Sequence, residues 1–175
     1  MADKTFADAL NEQIANEFAA SQQYLGAAVY YDAETLPRLA AFFYRQALEE
    51  REHAMMMIQY LLDVGESVHI PALSSVETTY SDGSEPVKMA LAQEKRVSEE
   101  IFALFELARS LKDYRAEQFL QWFVKEQVEE VALMGDLLNV VERSMENLLL
   151  AEEYIARESL GEEGSDPTAP PVAGE

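Results

Sequence analysis

Within the run Leu48–Met57, LEEREHAMMM, three glutamates, an arginine and a histidine interrupt an otherwise apolar helical pattern. Glu50 and His53 are three residues apart, so a carboxylate and an imidazole share one helix face. Three other apolar stripes are interrupted in the same way. Traced at three- and four-residue steps, the first reads Leu10, Ile14, Glu17, Ser21, Tyr24, Ala28 and the second Leu39, Phe43, Gln46, Glu50, His53, Met57, Tyr60. The third reads Val87, Leu91, Glu94, Ser98, Ile101, Phe105 and the fourth Phe119, Phe123, Gln127, Glu130, Met134, Leu137. Each stripe is apolar at its ends and polar in the middle. Four carboxylates, Glu17, Glu50, Glu94 and Glu130, would meet inside a core that offers them no Lys or Arg. Isolated buried charges destabilise a fold by several kcal/mol each. Two divalent cations would balance the charge of −4, with His53 and Gln127 as neutral ligands. Oxygen-rich donors with one imidazole suit iron or manganese better than copper or a structural tetrahedral zinc.

The elements that position these residues follow from the periodicity. Helices are expected at about 5–33, 36–64, 85–111 and 114–141, with a short fifth at about 144–158. Pro37 suits a first helical turn, Gly65 suits the position just past a helix end, and Ser84 with Glu85-Pro86 suits a helix start. The first two helices, and the third and fourth, are joined by very short turns and must form antiparallel hairpins. About 20 residues join the second helix to the third and can reach roughly 66 Å, whereas a 28-residue helix is about 42 Å long. The connector can therefore cross the whole bundle. Such an all-α up-down bundle with one long crossover is the ferritin-like arrangement.

Counted from the two tight turns, Glu17, Glu50, His53, Glu94, Gln127 and Glu130 fall at one height. Residues 17 and 94, 50 and 127, and 53 and 130 are each separated by 77 positions. The same offset pairs Glu49 with Glu126, Glu52 with Glu129, Met57 with Met134 and Leu61 with Leu138. The hairpins thus read as two copies about a pseudo-twofold axis. Solvated glutamates would have no reason to share a height or an offset.

Composition sets the outer limits. The chain has 175 residues, 49% of them hydrophobic, no cysteine and a formal net charge of −20. Lack of cysteine excludes disulfides and Cys-ligated metal sites. The acidity argues against nucleic acid and anionic lipid as partners. No apolar run reaches membrane-spanning length, and the N-terminus MADKTFADALNEQ has no signal-peptide core, so a cytoplasmic protein is expected. Residues 1–160 are expected to form one domain. Residues 161–175, rich in Gly, Pro and acid, are expected to be a disordered tail.

The segments NEQIANEFAASQQY, ALEEREHAMMM and QWFVKEQVEEVALM resemble bacterial non-haem ferritins, and the likeness spans about residues 5–158. The resemblance implies iron storage and ferroxidase activity: a two-iron centre at Glu17, Glu50, His53, Glu94 and Glu130, with Glu50 bridging and Gln127 nearby. It implies a third iron site at Glu49, Glu126 and Glu129, and a redox or hydrogen-bonding role for Tyr24. It further implies a 24-subunit shell of octahedral symmetry, Fe(II) oxidised by dioxygen or peroxide, and ferric oxyhydroxide stored inside. Haem is not expected. Bacterioferritins carry a haem-binding methionine two residues before the histidine of Glu-x-x-His, and Arg51 stands there. Gln127-x-x-Glu130 also departs from their second Glu-x-x-His. Rubrerythrin would need cysteines, and mini-ferritins lack the fifth helix. Trp122, Met55, Met56 and Met57 read as packing residues and His69 as a surface histidine.

Overall fold

The computed structural model describes residues 5–160 and 166–174. Among them are five helices and no strand: α1 (Phe6–Ala33), α2 (Pro37–Asp63), α3 (Glu85–Leu111), α4 (Tyr114–Arg143) and α5 (Leu149–Glu158). Each boundary has a local cause. Thr5 and Asp8 form a reciprocal capping box at the start of α1. Pro37 occupies the first turn of α2, where its missing N–H is not needed. Gly65, at φ 79°, lies just past α2, in the left-handed region that glycine enters without strain. Lys112 takes the left-handed conformation at the end of α3, and the Asp113 carboxylate then accepts from the amides of Arg115 and Ala116 to open α4.

Periodicity places the fifth helix from about residue 144. It begins instead at Leu149. The Asn147 carboxamide oxygen accepts the Leu149 amide and holds a turn between α4 and α5.

The hairpin α1–α2 packs against α3–α4 through α1 and α3, and α5 lies against α2 and α4. Among the described residues, two apolar clusters make up the core. One contains Leu39, Phe42, Phe43, Val87, Leu137, Val141 and Ile155; the other contains Leu10, Ile14, Met57, Leu61, Ile101, Leu120 and Phe123. Each large buried side chain contributes about 1.5–3 kcal/mol. The interrupted middle of the four stripes lies between the two clusters.

The crossover, residues 64–84, contains no helix or strand and is tied down from α1. Asn11 donates to the Ser67 carbonyl and accepts the His69 amide. Gln23 donates to the Glu77 carbonyl and the Tyr80 hydroxyl, and Tyr31 donates to the Gly83 carbonyl. A Cβ on Gly26 would lie 2.5 Å from the Glu77 carbonyl oxygen, so the loop closes on α1 only because residue 26 lacks a side chain. No helix among the described residues is long and apolar enough to cross a membrane.

Two C-terminal contacts go beyond the sequence expectation. Leu36, at the start of α2, gives no side-chain cap, and the amides there that lack a helical partner are met by Glu152 of α5. Its carboxylate accepts from Arg38 N and Leu39 N, each at 2.8 Å. An anion at a helix N-terminus meets both orphan donors and the positive end of the helix dipole. Within the segment expected to be disordered, residues 161–165 and 175 lie outside the described residues, while 166–174 lie against the bundle. Asp166 accepts from Trp122 Nε1 at 3.1 Å, Ala173 N donates to the Met55 carbonyl, and Ala169, Val172 and Ala173 pack on the second core cluster. Hydrogen bonds from Thr168 and Trp122 hold the Asp166 carboxyl well below the usual carboxylate range, so it stays ionised beside Lys125, 3.4 Å away.

Glu152→Ala should lower stability by about 1–2 kcal/mol, read as a shift in the denaturant midpoint with an unchanged slope. A chain ending at Leu160 should show red-shifted emission from Trp122, the single tryptophan of the protein. Emission identical to that of the full chain would mean that the segment does not cover the indole.

Candidate metal centre

The helical period of 3.6 residues turns Glu50 and His53 of α2 toward the same side as Gln127 and Glu130 of α4. Glu17 of α1 and Glu94 of α3 complete the layer. All six are buried, between 0% and 3% exposed. The residues flanking them on α2 divide by face. Arg51 and Glu52 are exposed, Glu49 is half-buried, and Met56 and Met57 enter the core. His69 is exposed in the crossover.

Glu17, Glu50 and His53 each offer a ligand atom, all within 4.8 Å of one another. The His53 Nδ1 atom lies 3.6 Å from Glu50 Oε2. On the other side, Glu94 accepts hydrogen bonds from the Tyr24 hydroxyl and, at 3.4 Å, from Gln127 Nε2. The Ser98 hydroxyl donates to Gln127 Oε1 at 3.0 Å, which sets the amide so that its NH2 faces Glu94. A second group, Glu49, His53 and Glu126, also brings its ligand atoms within 4.8 Å. Gln46 Nε2 donates to Glu49 Oε2 at 2.5 Å. Glu129, the third residue expected at that position, is exposed and pairs with Lys125 at 3.4 Å.

Several carboxylate oxygens in this layer have no hydrogen-bond partner among the described residues although they are buried: Glu17 Oε2, both oxygens of Glu50, and Glu130 Oε2. Buried polar atoms are nearly always paired, and a buried charge is tolerated only when compensated. Hard oxygen donors aimed at one another beside an imidazole fit a divalent cation, and they fit no apolar ligand. The electrostatics agree. Burial pushes the Glu50 carboxyl well above its usual range, and the charges of Glu94 and Glu17 add to the effect. Burial likewise raises Glu130, with Glu49, Glu50 and Glu94 contributing. Glu94 is raised by burial to about 7, even though the Tyr24 hydrogen bond opposes the shift. Burial and the neighbouring Glu94 and Glu50 charges push the Tyr24 phenol well up, so it remains a donor.

Some of this surrounding could not be singled out from sequence. Ser98 lies on the third stripe, and its position there does not name Gln127 as its partner. Trp122, read as packing, places its ring 5.6 Å from that of His53, edge to face. A small polar residue one turn from a seam carboxylate is the one sequence signal that marks Ser98.

A one-crossover four-helix bundle with carboxylates and a histidine converging at mid-height defines the class of ferritin-like carboxylate bundles. Comparison with known proteins makes the assignment specific. The Ferritin family, described as a ferritin-like domain, matches residues 7–144. The chain is 47% identical over 172 residues to Ferritin BfrB of Mycolicibacterium smegmatis, covering 98% of this chain and 94% of that one. It is 35% identical to the bacterial non-heme ferritin of Staphylococcus aureus strain MRSA252, covering 93% and 100%. Among solved structures, the open-pore ferritin of the hyperthermophilic archaeon Archaeoglobus fulgidus superimposes with a TM-score of 0.84 at 27% identity, covering 94% and 100%. The chain belongs to the ferritin family, and its function is iron storage.

The raised carboxyls set the pH behaviour of the metal-free protein. A carboxyl whose pKa is raised on folding holds its proton in the native state when the unfolded chain has lost it. Native stability is then highest below the ordinary carboxylate range and falls as pH rises through the raised value. For Glu94 the loss should fall between about pH 4.5 and 7. Metal-free Glu94→Gln should match the wild type near pH 4 and exceed its thermal midpoint at pH 8. Equal midpoints at both pH values would show that Glu94 does not carry this strain.

Proposed function

We propose that the layer binds two Fe(II) ions as substrate and acts as a ferroxidase centre. The observation that carries this reading is the set of unpartnered buried oxygens on Glu17, Glu50 and Glu130 around His53. One ion would sit among Glu17, Glu50 and His53, whose ligand atoms converge, and the other would be held by Glu50, Glu94 and Glu130, with Glu50 shared. Glu49 and Glu126, with Glu129 on the flank, supply a neighbouring site for a third ion. Gln127 and Tyr24 hold Glu94 at fixed orientation, and Tyr24 offers a proton at its hydroxyl.

Each Fe(II) gives up one electron to a single oxidant. Dioxygen with two protons leaves as hydrogen peroxide, and hydrogen peroxide with two protons leaves as two waters. The protein contributes proximity, two reductants within reach of one oxidant, and a carboxylate field that favours the higher charge of Fe(III). The ferric product then collects as ferric oxyhydroxide inside a 24-subunit octahedral shell in the cytoplasm. The ferritin relatives support the shell, as do the exposed apolar side chains Leu25, Val29 and Leu48 on α1 and α2.

Anaerobic loading with Fe(II) followed by air should give a fast ferric absorbance that saturates at two to three irons per chain. The assembly should elute near 24 subunits of 19.7 kDa, about 470 kDa. Glu50→Ala should keep the assembly, since it removes a buried like charge, and slow the initial oxidation about a hundredfold. Oxidation no faster than in protein-free buffer, or an unchanged rate in Glu50→Ala, would overturn the reading.

A further inference from the structure

Glu17 and Glu94 are counterparts under the 77-residue repeat, yet their surroundings differ. Tyr24 and Gln127 hold Glu94, and the repeat counterpart of Tyr24 is Ile101, which has no donor. Glu17 is met from within its own helix by Gln13, one turn earlier. The counterpart of Gln13 is Ala90, so this contact exists on one side of the pseudo-twofold alone.

Gln13 is 3% exposed. Its Nε2 donates to Glu17 Oε1 at 2.9 Å and to Glu100 Oε2 at 3.3 Å. A carboxamide nitrogen has two hydrogens, and these two acceptors use both. Asn16 Nδ2 donates to Glu100 Oε2 at 3.1 Å and approaches Gln13 Oε1 at 3.5 Å. That pairing fixes which end of the Gln13 amide faces Glu17. Glu100 is 28% exposed, with Arg96 Nε 3.7 Å from its other oxygen. Gln13, Asn16 and Glu100 also line a groove of about 330 Å³ between α1 and α3. A chain of polar contacts therefore joins an open face of the bundle to one buried carboxylate of the centre.

We propose that Gln13 is a positioning residue for Glu17: by engaging Oε1 and being clamped itself by Glu100 and Asn16, it turns Oε2 toward the ion shared with Glu50 and His53. Glu17 Oε2 is the atom left unpartnered, as this arrangement requires. Charge-assisted hydrogen bonds to a buried carboxylate give it orientation as well as energy. Removing the donor leaves Oε1 buried without a partner and releases the carboxylate from one orientation. The ion beside Glu17 is weakened, while the ion beside Glu94 keeps its own supports, Tyr24, Gln127 and Ser98. The proposal rests on the paired-ion reading above.

The test is anaerobic titration of the metal-free, assembled full chain with Co(II), followed by ligand-field absorbance. Wild type should bind two Co(II) in the layer. Gln13→Leu, which keeps the volume and removes the donors, should weaken one of them about tenfold, equivalent to ~1.4 kcal/mol. The absorption band of that ion alone should change. Glu100→Gln, on a part-exposed residue, should move the same ion in the same direction by about two- to threefold. Wild-type affinity and spectrum for both ions in Gln13→Leu, or equal weakening of both, would overturn the role of Gln13. Should Gln13→Leu fail to assemble, Glu100→Gln decides: a shift confined to one ion supports the proposal and no shift overturns it. A wild type that binds fewer than two Co(II) would instead overturn the paired-ion reading itself.

Discussion

Mutual repulsion and desolvation among Glu17, Glu50, Glu94 and Glu130 form the constraint around which the bundle is organised. Burial raises three of these carboxyls, and Glu50 faces charges from both hairpins. A layer of this kind is a liability in any core lacking a compensating cation. It persists because apolar packing above and below it is extensive. Leu39, Phe43 and Leu137 close one end, and Ile14, Met57 and Phe123 close the other. Burial of those side chains offsets the cost of the polar layer, and metal binding would relieve it. Stability and function are therefore linked at the same atoms.

The rest of the structure holds the layer at fixed width. Each hairpin turn is short, the α3–α4 turn capped locally by Asp113 and the α1–α2 turn closed by Glu152 from α5, so the register within a hairpin cannot slide by a turn. The crossover is anchored along α1 by Asn11, Gln23, Gly26 and Tyr31, which ties one hairpin to the other over the bundle's length. Glu152 fastens α5 to the start of α2. Residues 166–174 reach Trp122, whose ring stands against His53. The C-terminal segments thus contact the residues that frame the centre.

The two hairpins are alike in their ligand pattern and unlike in the groups that hold the ligands. The pair Ser21 and Ser98 makes the point: Ser98 orients Gln127, whereas its counterpart Ser21 donates to the Ala47 carbonyl. Tyr24 has no equivalent opposite, and neither does Gln13. A pseudo-twofold frame with different hydrogen-bonding partners gives two metal positions of unequal environment from nearly repeated helices.

Periodicity and the lengths of the connections determined the four long helices, their pairing into hairpins and the shared height of the six polar residues, because these depend on spacing along a chain whose geometry is fixed at 3.6 residues per turn. The resemblance carried by the motifs then supplied the family, which the comparisons bear out. Other features depend on distances between helices and on rotamers, which no single stripe encodes. Only the tertiary structure decided that Glu17 Oε2 and both Glu50 oxygens stand unpartnered, that Ser98 turns Gln127, that Glu129 faces solvent beside Lys125, and that Gln13 reaches both Glu17 and Glu100. The docking of residues 166–174 belongs here too. Its side chains are too small to signal packing in a sequence, and they find a place only because Trp122 and Met55 already present a surface to receive them.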